Sequence, residues 1–105
     1  MTATIADLMP ERALQQAVEG IARTYGWKCY HTHDSRRSQP GFPDIVLVKD
    51  GRLIFAELKS AKGRLSQPQK DWIGALERTA AEVFVWRPAD LVDGSVLAAL
   101  KAGGY

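Results

Sequence analysis

The fold is decided by the stretch GFPDIVLVKDGRLIFAELK, which spans residues 41–59. Asp50-Gly51 is a strong signal for a two-residue hairpin turn, because both positions of the favoured turn need a positive φ that these residue types tolerate. Apolar runs that favour strands lie on both sides of the turn, at residues 45–48 and 53–56. The stretch therefore predicts two antiparallel strands joined by a tight turn.

The register of this hairpin brings two carboxylates together. With the two-residue turn as the loop, Asp44 lies directly opposite Glu57, with Cβ atoms about 4.5–5.5 Å apart. Side chains alternate along a strand, so Lys59 emerges on the same face as Glu57. Two carboxylates this close repel each other and favour a hard divalent cation between them, for which Mg²⁺ or Mn²⁺ suits the oxygen ligands better than Zn²⁺. A lysine there can orient or deprotonate an attacking water, so the trio predicts phosphodiester hydrolysis.

Each residue of this trio also has an ordinary structural explanation. An aspartate after proline is common where a strand begins, and Glu-x-Lys on a strand is often a solvated ion pair of little weight. The hairpin, however, is apolar on both faces, which predicts strands in the middle of a sheet covered on both sides. Carboxylates at the end of such a hairpin are costly unless paired or metal-bound, so we interpret the trio as catalytic. The two faces carry Ile45, Leu47, Ile54, Ala56 and Leu58 on one side and Val46, Val48, Leu53 and Phe55 on the other.

The rest of the chain predicts an α/β sandwich. The sheet is expected to be mixed, since the hairpin is antiparallel and a strand after a helix can return parallel. One domain over residues 1–105 fits the length and the 46% hydrophobic content. The remaining elements are expected as helices at about 10–25, 67–78 and within 93–101, and as strands at 27–32 and 82–86.

Two further polar residues stand near the starts of predicted helices. Glu11 falls in the same helical sector as Leu14 and Val18, which directs it toward the core; the alternative is an acid that complements the helix dipole in the first turn. Gln69 closes a capping-box pattern with Ser66. It also lies on the helix face directed toward the sheet, where its carboxamide can reach a phosphate or a bound water. Both are candidate site residues.

Positive charge is concentrated in the part of the chain that carries these candidates. Residues 23–70 hold ten Lys or Arg against four Asp or Glu, a net of +6, whereas the whole chain has a net charge of +2. A lopsided solvated surface has the same signature, so the charge supports phosphate binding without establishing it. The candidate contacts to a nucleic-acid backbone are Arg36, Arg37, Ser38, Lys62, Arg64 and Lys70.

Other features are those of an ordinary cytosolic domain. The N-terminus lacks a basic start followed by an apolar stretch, and no apolar run is long enough for a membrane span. A cytoplasmic protein without membrane contact is therefore expected. Its three tryptophans, Trp27, Trp72 and Trp86, occupy core-like positions and are expected to pack and not to stack on bases.

The order of motifs also carries a family resemblance. Gly-Phe-Pro-Asp44, Glu57-x-Lys59 and Leu65-Ser-x-x-Gln69-x-x-Trp72 together resemble the VRR-Nuc domain, a branch of the PD-(D/E)xK nuclease superfamily, in the compact form found in phages and prophages. The resemblance covers nearly the whole chain. It implies a restriction-endonuclease-like sandwich, with a central mixed β-sheet flanked by helices.

The resemblance also implies roles for the candidate residues. Asp44 and Glu57 are expected to bind Mg²⁺ or Mn²⁺ with Glu11 as a further acid, Lys59 to be catalytic, and Gln69 to support the site. The implied activity is endonucleolytic cleavage of DNA, with branched or Holliday-junction DNA as the preferred structure, in a bacterial or phage-infected cell.

The mode of action leaves alternatives open. Symmetric incision of two strands needs two active sites, so a homodimer is the expected working unit. One alternative function is a nucleic-acid-binding module of the same fold that lacks catalysis. The other is a metal-dependent enzyme that acts on a small phosphorylated molecule, which the basic loops make less favourable.

Overall fold

A computed structural model describes residues 4–32 and 39–101 of the chain. Within those ranges the chain forms a four-stranded sheet flanked by helices, which confirms the α/β class. The elements are α1 (Ile5–Leu8), α2 (Glu11–Thr24), β1 (Lys28–His31), β2 (Ile45–Lys49), β3 (Arg52–Leu58), α3 (Gln67–Glu77), β4 (Glu82–Trp86), α4 (Pro88–Val92) and α5 (Ser95–Lys101).

The sheet is mixed, as expected, with the strands in the order β1-β2-β3-β4. The first three strands are antiparallel neighbours, and β4 returns parallel to β3 after α3. Asp50 and Gly51 have φ angles of 46° and 81°, so both turn residues adopt the positive φ that the favoured hairpin turn requires. The pairing of β2 with β3 follows the predicted register and ends at Ile45 and Ala56. The next residues outward are the two acids of the site.

One face of the sheet carries the core. Helices α2, α4 and α5 lie near one another and near the sheet. The indole Nε1 of Trp27 donates to the carbonyl oxygen of Leu100 at 2.8 Å, which ties the last helix to the start of β1. Trp27 and Trp86 are 4% and 3% exposed, so both pack as predicted. The buried apolar residues are Leu14, Val18, Ala22, Trp27, Ile45, Leu47, Ile54, Ala56, Leu58, Trp86, Val96 and Leu100.

The other face of the sheet is only partly covered. Val48 and Leu53, next to the turn, are 47% and 38% exposed, so the prediction that the hairpin is covered on both faces is wrong there. The covering that exists lies at the opposite end of the hairpin. There the ring of Phe42 meets Phe55 edge-on, with centroids 5.8 Å apart, and Trp72 of α3 in the same way at 5.1 Å. Helix α3 thus shields the end of this face where the acids lie.

Two short helices were not predicted from the sequence. In α1 the Thr4 hydroxyl accepts from the amide of Asp7 at 3.2 Å, and the Asp7 carboxylate accepts from the amide of Thr4 at 3.1 Å. Helix α4 begins at Pro88, one residue after β4 ends, with Arg87 between them. Helices of four and five residues are too short for an apolar periodicity to be visible. None of the helices in the described ranges is both long and apolar enough to span a membrane.

Candidate active site

Asp44 and Glu57 meet at the open end of the hairpin, as the register predicts. Asp44 directly precedes β2, and its Oδ2 accepts from the backbone amide of Leu58 at 2.8 Å. Glu57 is the penultimate residue of β3 and is only 2% exposed. The charge of Asp44 acts directly on the carboxyl group of Glu57, which shows that the two side chains are close. The two acids therefore lie close together, with Glu57 buried and Asp44 half-buried.

The protonation of Glu57 reflects this crowding. Burial raises the pKa of Glu57 to about 8, and the charge of Asp44 and the hydrogen bond with it act in the same direction. The ammonium group of Lys59 opposes the rise in pKa, whereas the carboxylate of Glu11 adds to it. In the absence of a cation, Glu57 consequently carries a proton at neutral pH. A divalent cation that bound the pair would displace that proton.

Lys59 lies beside the same carboxyl group. Its Nζ is 3.9 Å from Oε2 of Glu57, an ion-pair distance that is too long for a direct hydrogen bond. The backbone amide of Lys59 donates to the carbonyl oxygen of Trp86 at 3.0 Å, which continues the pairing between β3 and β4 by one residue. The lysine is thus anchored by its backbone at the centre of the sheet, while its head group lies beside the acids.

Gln69 serves both as a helix cap and as a contact in the site. Its side-chain Oε1 accepts from the backbone amide of Ser66 at 2.8 Å, and the backbone amide of Gln69 donates to the Ser66 hydroxyl at 3.3 Å. The other end of the carboxamide, Nε2, donates to Oε2 of Glu57 at 2.9 Å. Gln69 therefore caps the helix and contacts the acidic pair at the same time, because the two ends of its side-chain carboxamide make these two contacts.

Glu11 acts on the pair at longer range. It is the first residue of α2 and is exposed, which contradicts the expectation that its helical sector turns it inward; the first buried position of the helix is Leu14. Its negative charge nevertheless contributes to the raised pKa of Glu57. Across residues 4–32 and 39–101, no three His, Cys, Asp or Glu side chains converge as a metal-binding group. A role for Glu11 as a metal ligand stays a prediction.

The chemistry of the acidic pair fits a hard divalent cation. The available donors are carboxylate oxygens, which Mg²⁺ and Mn²⁺ prefer. The pKa of Glu57 is raised partly because the negative charge of Asp44 is close, and a cation would relieve that repulsion. Asp44 is held in orientation by the Leu58 amide and Glu57 by the Gln69 amide. Both donors are thus positioned before any cation binds.

Comparison with known proteins gives the family. The family model described as the VRR-NUC domain matches residues 4–90. The chain belongs to the VRR-NUC family. A solved structure described as a VRR_NUC domain protein is similar with a TM-score of 0.66 and 17% sequence identity, over 91% of this chain and 92% of that chain. At that identity the likeness shows a shared fold. A search of curated proteins gave no match. Membership of this family confirms the resemblance and indicates a nuclease.

The glycine of the VRR-NUC motif has a packing role that sequence reasoning missed. Gly41 has a φ of 92°, and a Cβ built on it would lie 2.4 Å from the carbonyl carbon of Pro68 and 2.7 Å from the amide nitrogen of Gln69. The loop that carries Asp44 therefore touches the first turn of α3 backbone to backbone. Only a glycine permits this approach. The Gly-Phe-Pro-Asp motif marks Gly41 in the sequence, but the sequence does not predict that Gly41 contacts the first turn of α3.

Arg87 is a second residue that the sequence did not single out. It follows β4, and its Nη1 donates to the carbonyl oxygens of Ser60 and Gly63, both at 2.7 Å. The guanidinium group thereby fastens the loop that begins directly after Lys59. Nothing in the sequence distinguishes this arginine from other surface arginines, so its role as a loop anchor is visible only in the structure.

The predicted contacts to a nucleic-acid backbone fall into two groups. Lys62, Arg64 and Lys70 are exposed, on the loop after β3 and in the first turns of α3. The pKa of Asp7 is lowered mainly by hydrogen bonds from Thr4, and the charge of Lys62 adds to the effect. Lys62 therefore lies within electrostatic reach of α1. The second group, Arg36, Arg37 and Ser38, lies outside the residues that the structure describes.

Proposed function

We propose that this VRR-NUC protein is a metal-dependent endonuclease that hydrolyses phosphodiester bonds in DNA. The observation that carries the proposal is the convergence of three side chains on the buried carboxyl group of Glu57. Oε2 of Glu57 lies 2.9 Å from Nε2 of Gln69 and 3.9 Å from Nζ of Lys59, and the charge of Asp44 acts on the same carboxyl group. Family membership supports the nuclease assignment. The carboxylate pair supports the metal dependence, because a buried acid beside a half-buried one needs a counter-charge for both to ionise together.

Each residue has a distinct task in this mechanism. Asp44 and Glu57 hold Mg²⁺ or Mn²⁺, with Glu11 as a further acid. When bound, such a cation supplies Lewis acidity to a phosphate oxygen and makes water a better nucleophile. Lys59 orients the attacking water or stabilises the charge that develops on the phosphate during in-line displacement. Gln69 holds the Glu57 carboxylate in the orientation in which it binds the metal.

Branched DNA, such as a four-way junction, is the proposed substrate, and a homodimer is the proposed working unit. The support is the concentration of positive charge in residues 23–70 and the exposed cations near the site. We assign phosphate contacts to Lys62, Arg64 and Lys70, and to the basic segment Arg36-Arg37-Ser38. Two symmetric incisions require two copies of the site, which a dimer with a two-fold axis supplies.

The test uses purified protein with labelled four-way junction, flap and linear duplex DNA, each with Mg²⁺, Mn²⁺ or EDTA. The variants are Asp44→Asn, which keeps an acceptor for the Leu58 amide, and Lys59→Met, which keeps the apolar stem. Lys49→Met is the matched control, because Lys49 lies at the other end of β2. We expect cleavage that needs metal, is lost in Asp44→Asn and Lys59→Met, and persists in Lys49→Met.

The other outcomes identify the alternatives. Tight binding of DNA without cleavage in either metal would indicate a binding module without catalysis. Neither binding nor cleavage would favour a small phosphorylated substrate. Equal rates on junction, flap and linear duplex would contradict the preference for branched DNA.

The role of Glu11 is tested by Glu11→Gln against Glu19→Gln, a second acid on the same helix. If Glu11 assists the site, only the first substitution raises the metal concentration needed for half-maximal cleavage.

A further inference from the structure

An aromatic pocket opens on the partly covered face of the sheet. Its volume is about 230 Å³. This is smaller than the ~300–1,000 Å³ typical of pockets for drug-sized ligands, so the pocket has room for one planar ring system. The lining residues are Tyr30, Thr32, Gln39, Phe42 and Trp72. None of these five side chains is charged.

The wall of this pocket is continuous with the acidic pair. The backbone amide of Thr32 donates to the carbonyl oxygen of Asp44 at 2.9 Å. The Thr32 hydroxyl donates to the carbonyl oxygen of Pro43 at 3.1 Å. Phe42 lies two residues before Asp44 in the same loop. A group held in the pocket is therefore next to the residue that we assign to the metal.

Packing within the domain does not account for the exposed aromatic surface here. Tyr30 is 63% exposed, although it lies on a strand. Trp72 packs edge-on against Phe42 but is only half-buried, in contrast to the two tryptophans of the core. Exposed aromatic rings that gather beside a polar site are typical of recognition surfaces.

We propose that this pocket receives a single unpaired nucleobase of the DNA substrate, next to the phosphodiester that is cut. The inference rests on the proposed nuclease function and adds to it a structural basis for substrate selectivity. Base rings stack on aromatic side chains irrespective of sequence, and the lining residues that the structure describes are uncharged, which suits a base better than a phosphate. Thr32 and Gln39 offer polar atoms for the edge of the base. Branch points and flaps have unpaired or readily unstacked bases, so the pocket gives a physical reason for preferring them over intact duplex.

The first test measures binding without catalysis. A single-stranded oligonucleotide with 2-aminopurine at one position is titrated with protein in EDTA, and quenching of the analogue reports its stacking on a protein ring. The variants are Tyr30→Thr, which keeps the preference for a strand, and Tyr30→Phe, which keeps the ring. Val48→Ala is the matched control, because Val48 is exposed on the same sheet face outside the pocket. We expect Tyr30→Thr to weaken binding by about 5- to 100-fold, the range that loss of one base–aromatic stack implies.

The second test measures cleavage of branched DNA with a single abasic site moved along the strand that is cut. For the wild type, we expect one position near the cleaved bond at which loss of the base lowers kcat/KM. Tyr30→Thr should be insensitive to that same position, whereas Tyr30→Phe and Val48→Ala should behave as the wild type.

The two measurements separate failure of the pocket from failure of the nuclease assignment. If Tyr30→Thr binds and quenches the analogue as the wild type does, the pocket proposal is wrong, whatever the enzyme cleaves. If the wild type cleaves no DNA but Tyr30→Thr alone loses binding and quenching, the nuclease function and the pocket's role in cleavage are wrong, and the pocket is a site that only binds a base. A uniform loss in Tyr30→Thr and Val48→Ala would assign the effect to the sheet face in general and would overturn the pocket.

Discussion

The carboxamide of Gln69 connects the first turn of α3 to the acidic pair: Nε2 donates to Oε2 of Glu57 at 2.9 Å, while Oε1 accepts from the backbone amide of Ser66 at 2.8 Å. One rigid plane thus sets the distance between a helix end and a strand. A small displacement of α3 would therefore be transmitted directly to the Glu57 carboxylate.

This relationship predicts different effects for the two partners in the capping box. Gln69→Ala removes the cap and the contact with Glu57, whereas Ser66→Ala removes the Ser66 hydroxyl and leaves Gln69 in place. Both variants should lose about 1 kcal/mol in the free energy of unfolding, as loss of an N-cap contact does. Only Gln69→Ala should lower metal affinity or activity by about 10- to 100-fold, as loss of a group that orients a ligand does. Equal activity losses, measured with urea unfolding and cleavage rates, would contradict the role in the site.

The pKa of Glu57 predicts how stability depends on pH in the metal-free protein. The folded protein keeps a proton on Glu57 up to about pH 8, whereas the unfolded chain releases it near the ordinary pKa of 4.5. Between these values the unfolded state binds fewer protons, so this group destabilises the fold increasingly as pH rises. Glu57→Gln is neutral at every pH and keeps a hydrogen-bond acceptor for Gln69. In EDTA, its stability advantage should grow to on the order of a few kcal/mol between about pH 5 and pH 8.

Urea unfolding of wild type and Glu57→Gln at a series of pH values measures this difference. Saturating Mg²⁺ should reduce the advantage of Glu57→Gln at high pH, because the cation stabilises the ionised pair of the wild type. An advantage that is constant across the pH range would contradict a raised pKa for Glu57.

Replacing Gly41 should cause a steric clash with α3 in addition to the backbone strain that any residue with a side chain has at a positive φ. Gly41→Ala adds a Cβ within 2.4 Å of the Pro68 carbonyl carbon at a φ of 92°, so the loop or α3 must move. Gly51→Ala is the matched control, since Gly51 has a φ of 81° but open space around it. We expect Gly51→Ala to cost about 1–2 kcal/mol of stability and Gly41→Ala to cost more. Only Gly41→Ala should also lower the cleavage rate, and unchanged cleavage in a folded Gly41→Ala would contradict the contact.

The contacts of Arg87 predict that the conformation of the loop after Lys59 depends on its guanidinium group. Arg87→Met keeps the apolar stem and removes the donors to the carbonyl oxygens of Ser60 and Gly63. We expect a loss of about 1–3 kcal/mol in the free energy of unfolding, together with a lower kcat, because Lys59 precedes the freed loop. Arg78→Met, at the exposed end of α3, is the control and should change neither quantity. If Arg87→Met cleaves DNA as fast as the control, the loop does not need this anchor.

Much of the sheet and its acidic pair could be predicted because the decisive signals are local. The turn at Asp50-Gly51 fixes the register, and the register alone places Asp44 beside Glu57. Strand β4 was also predicted with its observed bounds, since a short run of β-branched and aromatic residues lies between breaks in the pattern. In such cases the chain neighbours determine the geometry, and no distant contact has to be known.

The remaining features depend on contacts between segments far apart in the chain. The bridge from Ser66 through Gln69 to Glu57 requires knowledge of how α3 docks, and the anchor at Arg87 requires the path of the loop after β3. Coverage of the sheet also escaped prediction: Val48 has the residue type of a buried strand, but no helix of the described chain covers it well. Apolarity indicates which residues can be buried, whereas the docking of helices decides which of them are.

The two-residue turn also leads to a prediction about when the acidic pair forms during folding. Strands β2 and β3 are adjacent in the chain, whereas β4 and Gln69 reach β3 only through the crossover at α3. Local pairings close faster than those between distant segments. We therefore expect Asp44 and Glu57 to meet in an early hairpin, before the side-chain amide of Gln69 reaches Glu57, so that the repulsion between the two acids raises the kinetic barrier to folding. In EDTA, stopped-flow refolding of the wild type should slow relative to Glu57→Gln between about pH 5.5 and pH 8, with a smaller change in the unfolding rate. A pH effect confined to the unfolding rate would place the meeting of the two acids after the transition state.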